Sequence, residues 1–464
     1  MLLYKKNKCK EILLNSSIIM IWVTIFIIHI NESVFSINSL YIANIFKKNY
    51  YIDWSELIIG ADYISYIFIL LTILLIISCI IISWKSVKIM ITEFCLLLIL
   101  TQFFLFIIFT SFDMILFYIF FEIVLIPIFL IIIIWGSRVE KFKAAYYFFF
   151  YTLIGSLLML LSFFYIYNET GSTSWYHIYM IKITKSKLIT LTICISMGVK
   201  IPMIPFHIWL PQAHVEAPIS GSILLAGILL KLGGYGLIRF GIALFYEDIK
   251  WIQPILITFS ILAIIYGSLI TIRQIDAKRL VAYSSVAHMG FVTLGIFTQT
   301  NIGITSSVLL MIAHGFISSA LFISVTVLYD RFHTRLIRNY KGILISMPIL
   351  ATINLLLTLA NISFPFTLNF WGEILTFKSI LYLNLNYWIL IICSFSLLFS
   401  SLYSFNIYNR IHLGIFSKSL FNIKDVTKKE YIILIILLSS SILLGFNPIK
   451  IISNININIS YILS

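Results

Sequence analysis

The sequence predicts an all-α polytopic membrane protein with about thirteen transmembrane helices. The 464-residue chain is 61% hydrophobic and 11% charged. Runs of about twenty apolar residues recur along it, which is the length that an α-helix needs to cross a bilayer. These runs lack the alternation of apolar and polar residues that marks a transmembrane β-barrel. A soluble core does not need so much apolar surface.

Two of the predicted spans are expected to be broken. The sixth contains Pro202 and Pro205, and the eleventh contains Pro365. A proline inside a helix removes a backbone donor and clashes with the preceding turn, so the breaks should lie near 201–206 and near 361–369. The predicted spans are near 11–31, 57–84, 87–109, 112–134, 142–167, 187–214, 219–245, 251–273, 278–299, 301–328, 343–384, 385–408 and 430–447.

The positive charges follow a topological pattern. Twenty-one of the 32 Lys and Arg residues lie in the N-terminal segment and the loops on its side of the membrane, and seven lie on the opposite side. Because Lys and Arg concentrate in inner loops, the N-terminus is predicted inside and the C-terminus outside. The formal net charge of +14 is therefore interpreted as a topology signal, and no nucleic-acid partner is expected.

Several other classes are excluded by what the sequence lacks. The five cysteines are scattered without metal-ligand spacing, so neither a disulfide framework nor a metal site is expected. No glycine-rich phosphate loop and no nucleophile elbow is present. The N-terminal lysines and apolar run lack a clear cleavage site, which favours a retained first span over a signal peptide.

The two broken spans are five spans apart, so they cross the membrane in opposite directions. Antiparallel broken spans with ionisable groups near the midplane are typical of an inverted-repeat transporter. The chain is therefore divided into an N-terminal span with a polar loop, two halves of a transporter core, and a C-terminal loop with the last span. These four parts cover residues 1–56, 57–245, 246–408 and 409–464.

Ionisable residues within the first half of the core are the first candidates for function. Glu122 lies near mid-span in FYIFFEIVLIPIF, Lys200 precedes the break at Pro202, and Lys231 lies mid-span in LLAGILLKLGGYG. Charges at bilayer depth are costly and mark paths for ions or protons. A carboxylate that moves relative to a buried lysine changes the proton affinity of that lysine. The alternatives are a structural hydrogen bond for Glu122 and snorkelling for Lys231.

The second half of the core supplies three more candidates. His288 in AYSSVAHMG and His314 in LLMIAHGFISSALF lie among small and hydroxylated residues, where imidazole can both donate and accept. Glu373 in NFWGEILTF follows the second break. A core histidine with one satisfied bond is the alternative for the two histidines. His207 and His214, near the first break, are left open between packing, interfacial and relay roles.

Several sequence segments resemble those of a known family. The chain is similar to the NADH dehydrogenase subunit 4 family, whose members are antiporter-like membrane subunits of respiratory complex I. The similarity is nearly continuous from about residue 57 to about 410. The resemblance is carried by FYIFFEIVLIPIFLIIIIWG, RQIDAKRLVAYSSVAHMGFV, LLMIAHGFISSALF and KIPMIPFHIWLPQAHVEAPISGSILLAGILLKLGGYGLIR. Glu373 and the chain's length favour subunit 4 over the related subunit 5, which has lysine at that place and a longer C-terminus.

The resemblance implies a role for each candidate. Glu122 would pair with Lys200, and Lys231 would be the central lysine of the next helix. His288 and His314 would be relay histidines, and Glu373 would exchange protons with the outside. The family usually has fourteen spans with both ends outside, so its first helix is expected to be missing or replaced here.

The resemblance also implies the function, partners and compartment. This chain would pump protons, driven by quinone reduction elsewhere in the complex. NADH, FMN, iron–sulfur clusters and quinone are expected in other subunits, and no cofactor is expected here. The partners would be neighbouring antiporter-like and other membrane-arm subunits, together with lipids. Abundant Ile, Asn, Lys, Phe and Tyr favour a mitochondrial genome and the inner membrane, with a bacterial plasma membrane second. An Mrp-type cation/proton antiporter and a purely structural subunit are the alternative functions.

Overall fold

A computed structural model describes residues 10–11, 13–18, 42–43, 59–181, 186–383, 387–414 and 424–463. The described chain is almost entirely helical. Two strands of two residues each, Ile42–Ala43 and Ile59–Gly60, pair in an antiparallel arrangement. Residues 10–11 and 13–18 are helical. The rest of the predicted first span, near 11–31, lies outside the described residues.

Nineteen further α-helices follow in the described part of the chain, and short π- and 3₁₀-helical segments lie among them. The π-helical segments are Leu225–Leu229 and Leu237–Ile242, and Ile337–Asn339 is 3₁₀-helical. The α-helices are α1 Tyr63–Ser86, α2 Ile91–Thr110, α3 Met114–Ile123, α4 Leu125–Trp135, α5 Lys141–Thr170, α6 Trp175–Ile181, α7 Lys187–Lys200, α8 Trp209–Glu216, α9 Ile219–Leu224, α10 Leu230–Gly236, α11 Ala243–Arg273, α12 Ala277–Phe297, α13 Asn301–Phe332, α14 Ile343–Ser346, α15 Pro348–Asn361, α16 Leu368–Tyr382, α17 Tyr387–His412, α18 Lys428–Phe446 and α19 Ile449–Leu463.

Nine helical segments of the described chain are long and apolar enough to cross a membrane. One of them, Ile219–Arg273, has 55 residues. At 1.5 Å per residue it would be about 80 Å long if straight, more than twice the hydrocarbon thickness of a bilayer. The backbone leaves helical geometry at Phe245 (φ −125°, ψ 35°), so the segment divides there into two crossings. This agrees with the separate predicted spans near 219–245 and 251–273. The total of thirteen spans and the domain limits stay predictions.

The structure confirms the two broken helices. The helix of the first break ends at Lys200 and resumes at Trp209, around Pro202 and Pro205. The second break separates α15, which ends at Asn361, from α16, which begins at Leu368. A third, smaller interruption was not predicted. It lies at Val124, between α3 and α4, because Pro127 lacks an N–H and its ring collides with the preceding turn.

The loops that the charge pattern puts on the inner face lie together at one end of the bundle. Arg335 donates to the side-chain oxygen of Ser137, and Asp276 pairs with Leu336 in an isolated bridge. Arg331 donates to the Asp425 carbonyl at 3.1 Å. At the opposite end, the Thr173 hydroxyl donates to Asp113 at 2.6 Å. These contacts separate the two sets of loops as the charge bias predicts.

The last helix, α19, was not predicted. Its sequence, IKIISNININISYIL, has 15 residues, which is shorter than the roughly 20 that a straight crossing needs. Ile455 and Ile459, four residues apart, are completely buried, whereas Ile457 is exposed. Apolar residues at this spacing form one buried stripe on a helix. The helix therefore packs against the other helices through a single face.

Candidate functional site

Lys231 is completely buried at the centre of the molecule. Its helix, α10, has a π-helical segment on each side, Leu225–Leu229 and Leu237–Ile242. In a π-helix the hydrogen bonds shift to the fifth residue along the chain, and such segments often mark functional sites. The Nζ atom of Lys231 donates to the carbonyl of Ala226, inside the first π segment. The irregular backbone thus supplies a polar partner for a buried amine.

Glycines allow the broken helix α7 to approach Lys231 closely. A Cβ atom on Gly233 would lie 3.0 Å from the Met197 carbonyl and 3.2 Å from the Ile201 amide nitrogen. Both of these atoms belong to the backbone at the C-terminal end of α7, so they have little freedom to move aside. Gly233 therefore sets the distance between the broken helix and the helix of Lys231.

Lys231, His314, His288 and Glu373 form one buried row. The Nζ atom of Lys231 lies 2.8 Å from Nδ1 of His314. The ring centroids of His314 and His288 are 5.8 Å apart. Nδ1 of His288 lies 3.6 Å from Oε1 of Glu373. All four side chains are buried. The structure thus brings together four of the six candidate residues in the order that the resemblance implies.

The second broken helix holds the far end of this row. Asn361, the last residue of α15, places Oδ1 3.1 Å from Nε2 of His288. The Asn369 amide donates to the Ala360 carbonyl at 3.0 Å, across the break. Glu373 lies 4% exposed on α16, and its Oε2 atom has no hydrogen-bond partner in the described part of the chain. Asn361 and Asn369 were missed from sequence, although they bracket the predicted break.

Glu122 and Lys200 lie next to each other in the first half. The Nζ atom of Lys200 donates to the Phe121 carbonyl at 3.2 Å and lies 3.4 Å from the centroid of the Phe121 ring. Glu122 interacts electrostatically with Lys200 and with the hydroxyl of Ser156 on α5. The direct contact of Lys200 is therefore with the backbone one residue before Glu122. The helix interruption at Val124 lies two residues after it.

The two histidines that the sequence left open differ in their surroundings. His207 packs edge-on against the rings of Tyr266 and Tyr283, with centroids 5.6 and 6.4 Å away. His214 is completely buried and stacks on Phe322 with centroids 4.6 Å apart. It interacts electrostatically with Lys231, and neither of its ring nitrogens has a hydrogen-bond partner among the described residues. His214 therefore borders the buried row, whereas His207 lies against aromatic side chains.

A buried ionic cluster at the inner end was missed by the sequence reading. Glu216 Oε1 and Arg335 lie 3.2 Å apart, and both side chains are almost completely buried. Lys278, also buried, donates to the Ala217 carbonyl at 3.1 Å and interacts electrostatically with Glu216. Arg335 and Lys278 were assigned to loops because each lies between apolar runs. The signal for this cluster was Glu216, a carboxylate that ends the helix of His214.

A second buried arginine closes the opposite, outer end. Arg239 pairs with Asp62, and its guanidinium lies 4.5 Å from the Phe112 ring centroid and 5.6 Å from that of Trp175. Trp175 donates its indole N–H to the Arg239 carbonyl at 2.9 Å. This arrangement fills the outer end of the Lys231 helix with aromatic rings around a neutralised charge.

Comparison with known proteins places the chain in a family. The family described as "NADH:quinone oxidoreductase/Mrp antiporter, TM" matches residues 111–400. NADH-ubiquinone oxidoreductase chain 4 of Metridium senile is 47% identical over 397 residues, which is 85% of this chain and 80% of that protein. Chain 4 of Chondrus crispus is 43% identical over 393 residues, covering 84% of this chain and 80% of that protein.

Solved structures share the fold. A chain of respiratory complex I from Thermus thermophilus with bound NADH is 26% identical, with a TM-score of 0.81 over 88% of this chain and 86% of that one. A chain of the Mrp complex from Dietzia sp. DQ12-45-1b has a TM-score of 0.88 over 99% of this chain and 93% of that one, at 14% identity. At 14% identity, the similarity to the Mrp complex chain shows only a shared fold. From the sequence identities and the family match together, the chain belongs to the NADH-ubiquinone oxidoreductase chain 4 family.

Proposed function

We propose that this chain is a proton-translocating membrane subunit of respiratory complex I, in which Lys231, His314, His288 and Glu373 conduct the proton. The protein is a multi-pass protein of the mitochondrial inner membrane. Its membership of an enzyme complex follows from relatives that are chains of NADH-ubiquinone oxidoreductase. The row of four buried ionisable side chains is the single observation that carries the proposed path.

The geometry of the row suits stepwise proton transfer. Lys231 faces Nδ1 of His314, so a neutral His314 that accepts a bond there carries its own proton on Nε2. Taking a proton at Nδ1 and releasing the one at Nε2 moves charge across the ring. His288 faces Asn361 through Nε2 and Glu373 through Nδ1. The 3.6 Å between His288 and Glu373 is slightly longer than a hydrogen bond, and a small side-chain movement or one water molecule closes it.

Glu122 and Lys200 would set the state of this path. The carboxylate of Glu122 lies near Lys200, beside two helix interruptions, so its position relative to the amine is adjustable. When Glu122 moves away, the ammonium form of Lys200 loses a stabilising charge, and its proton is released more easily. A signal from a neighbouring subunit that displaces α3 would therefore change the electrostatic field at Lys231.

NADH, FMN, iron–sulfur clusters and quinone belong to other subunits, so this chain performs no redox chemistry itself. Its protein neighbours would be the antiporter-like and other membrane-arm subunits of the complex. The exposed apolar side chains of α5, such as Ile154 and Leu161, would face those neighbours or lipid. Nucleic acid is not among the partners.

A cation/proton antiporter subunit of the Mrp type is the alternative function. The fold likeness to an Mrp complex chain supports it only at the level of the fold, at 14% identity. Relatives that are 40–47% identical over most of the chain are instead chains of NADH-ubiquinone oxidoreductase, which favours complex I. A purely structural subunit is the other alternative, and it gives no reason to bury four ionisable groups in one row.

The test compares two carboxylate variants in the assembled complex. Glu373→Gln keeps the size of the side chain and removes its titratable proton, so the number of protons translocated per electron in sealed membrane vesicles should fall. Glu373→Asp keeps a titratable group and should retain part of the function. Glu247→Gln is the matched control, since Glu247 lies on an exposed turn of α11.

The result that decides is the proton-to-electron ratio, corrected for the amount of assembled complex. A lowered ratio in Glu373→Gln, with Glu247→Gln unchanged, supports the proposed path. An unchanged ratio in Glu373→Gln would overturn it and revive the structural alternative. If the unsubstituted protein translocates Na⁺ instead of pumping protons alone, the antiporter alternative is favoured.

A further inference from the structure

The inner end of the molecule carries a buried carboxylate that the row described above does not use. We propose that Glu216 is the group through which protons enter the Lys231–Glu373 path from the inner aqueous phase, by way of Lys278 and His214. This inference rests on the proton-translocating function proposed above and assigns the inlet of that path. Three observations carry it: a polar cavity at the surface, an unpartnered carboxylate oxygen beneath it, and a continuous set of ionisable neighbours leading inward.

A polar cavity opens beside Glu216. Its volume is about 360 Å³, and it is lined by Glu140, Lys143, Ala144, Gln212, Val215, Glu216 and Arg279. Glu140, Lys143 and Arg279 are exposed and belong to the loops and helix ends that the charge pattern assigns to the inner side. The cavity therefore connects water at the inner face with Glu216. The larger apolar cavity between α1 and α18 contains no comparable set of charged groups.

Glu216 places one unpartnered carboxylate oxygen at the base of this cavity. Its side chain is 3% exposed, and Oε1 is fixed 3.2 Å from Arg335. Oε2 is buried and has no hydrogen-bond partner in the described part of the chain. An unsatisfied buried oxygen costs free energy unless a transient partner uses it. Arg335 thus orients the carboxylate and leaves one oxygen free for proton exchange.

Ionisable neighbours connect Glu216 with the buried row. Lys278 interacts electrostatically with Glu216, and also with Asp276, Asp330 and Arg335. His214 interacts electrostatically with both Lys278 and Lys231, and it has two ring nitrogens without partners among the described residues. A neutral imidazole with both nitrogens unbonded can accept on one side and donate on the other. Each step moves one proton between neighbouring groups and leaves no net charge behind after the last transfer.

The hydroxyl of Tyr340, near the inner end, does not compete for this role. Tyr340, beside Arg335, donates its hydroxyl to the Thr334 carbonyl, and burial raises its pKa to about 12. Tyr340 therefore keeps its proton throughout the physiological range. The opposite end of the Lys231 helix is filled by Arg239, Asp62 and aromatic rings, which favours entry from the inner side.

The test uses the assembled complex in membrane vesicles made permeable to protons by an uncoupler. Glu216→Gln should slow NADH oxidation on the order of tenfold, because removal of a positioned acid–base group slows proton transfer at least that much. Glu216→Asp should retain most of the rate. Sodium formate should restore the rate of Glu216→Gln, because formic acid is small enough for the cavity and delivers protons in place of the missing carboxylate.

The matched control is Asp62→Asn, which removes the carboxylate from the other buried arginine pair without touching the inlet. Its rate per assembled complex should equal that of the parent, and formate should not change it. If Glu216→Gln fails to assemble, the double variant Glu216→Gln with Arg335→Gln removes both charges of the buried pair, and the same results are expected.

Two outcomes would overturn the assignment of Glu216 as the proton inlet. One is a parent-like rate in Glu216→Gln or in the double variant. The other is a slow rate that formate does not restore, because a merely structural defect is not repaired by a proton donor. Glu373→Gln, assayed for proton translocation in sealed vesicles without uncoupler, separates this inference from the function on which it rests. If Glu373→Gln loses translocation while Glu216→Gln behaves like the parent, only the inlet is wrong.

Discussion

The Nζ atom of Lys231 lies 2.8 Å from Nδ1 of His314, and both side chains are buried between π-helical and α-helical segments. A lysine in such a place is held by two acceptors, this imidazole and the Ala226 carbonyl. In the proposed path, the amine of Lys231 exchanges its proton with this imidazole. This pairing lies at the centre of the proposed proton path, and the following predictions test its surroundings.

Glu122→Gln should impair coupling without impairing the fold. Lys200 donates to the Phe121 carbonyl and lies on the Phe121 ring, so it keeps its direct partners when the carboxylate is lost. The complex should assemble in normal amounts, while the proton-to-electron ratio falls. The measurements are the amount of assembled complex in native gels and the ratio in sealed vesicles. If less complex assembles but each assembled complex keeps the parent's proton-to-electron ratio, the role of Glu122 is structural.

Gly233→Ala should destabilise the contact between α7 and α10. The added Cβ would lie 3.0 Å from the Met197 carbonyl, which is a backbone atom, so the helices must separate. Overpacking of this kind costs about 1–3 kcal/mol. The measurement is the thermal denaturation midpoint of the purified complex together with its translocation rate.

The control for this glycine is Gly241→Ala, on the same stretch of chain. A Cβ there would meet only Leu237 Cδ2, at 3.5 Å, which is ordinary contact. Alanine has a higher helix propensity than glycine, so this variant should be neutral or slightly stabilised. Equal effects of the two substitutions would contradict the close approach at Gly233.

Arg335→Ala should strongly destabilise the inner end of the molecule. The substitution leaves the buried Glu216 carboxylate without its counter-ion, and breaking one side of a buried pair costs about 3–5 kcal/mol. Assembled complex should therefore decrease, as measured by its abundance in membranes and its resistance to heat.

The contrasting variant is Lys250→Ala. Lys250 and Glu247 form an exposed pair on the surface, 2.9 Å apart, and its loss should leave abundance and heat resistance unchanged. Parent-like abundance in Arg335→Ala would contradict the structural importance of the buried pair.

Much of the fold could be predicted from sequence because two simple signals are strong in this chain. Apolar length identifies spans, and proline identifies breaks, so the interruptions at Pro202 and Pro365 were found. The break at Val124 was missed because it interrupts the helix at a single residue and leaves the apolar run of the span near 112–134 intact. The π segments around Lys231 were missed because no short pattern of residues specifies them.

The candidate site was found because ionisable residues in apolar runs are conspicuous. Lys231, His288, His314 and Glu373 each stand among apolar or small residues, and the structure brings them together. Glu216, Lys278 and Arg335 were not found because they lie at the ends of spans, where charges are ordinarily solvated. Only the packing of three separate segments, the end of α8, the start of α12 and the loop of Arg335, shows that these side chains are buried.

The most direct test of the proton path is the proton-to-electron ratio of the assembled complex carrying Lys231→Met. Methionine has nearly the volume of lysine and no titratable proton, so the core stays filled while the central carrier is lost. Lys378→Met is the matched control, because Lys378 is an exposed lysine on the helix of Glu373. The account predicts a lowered ratio in Lys231→Met and a parent-like ratio in Lys378→Met. A parent-like ratio in Lys231→Met, in complex assembled at normal levels, would contradict it.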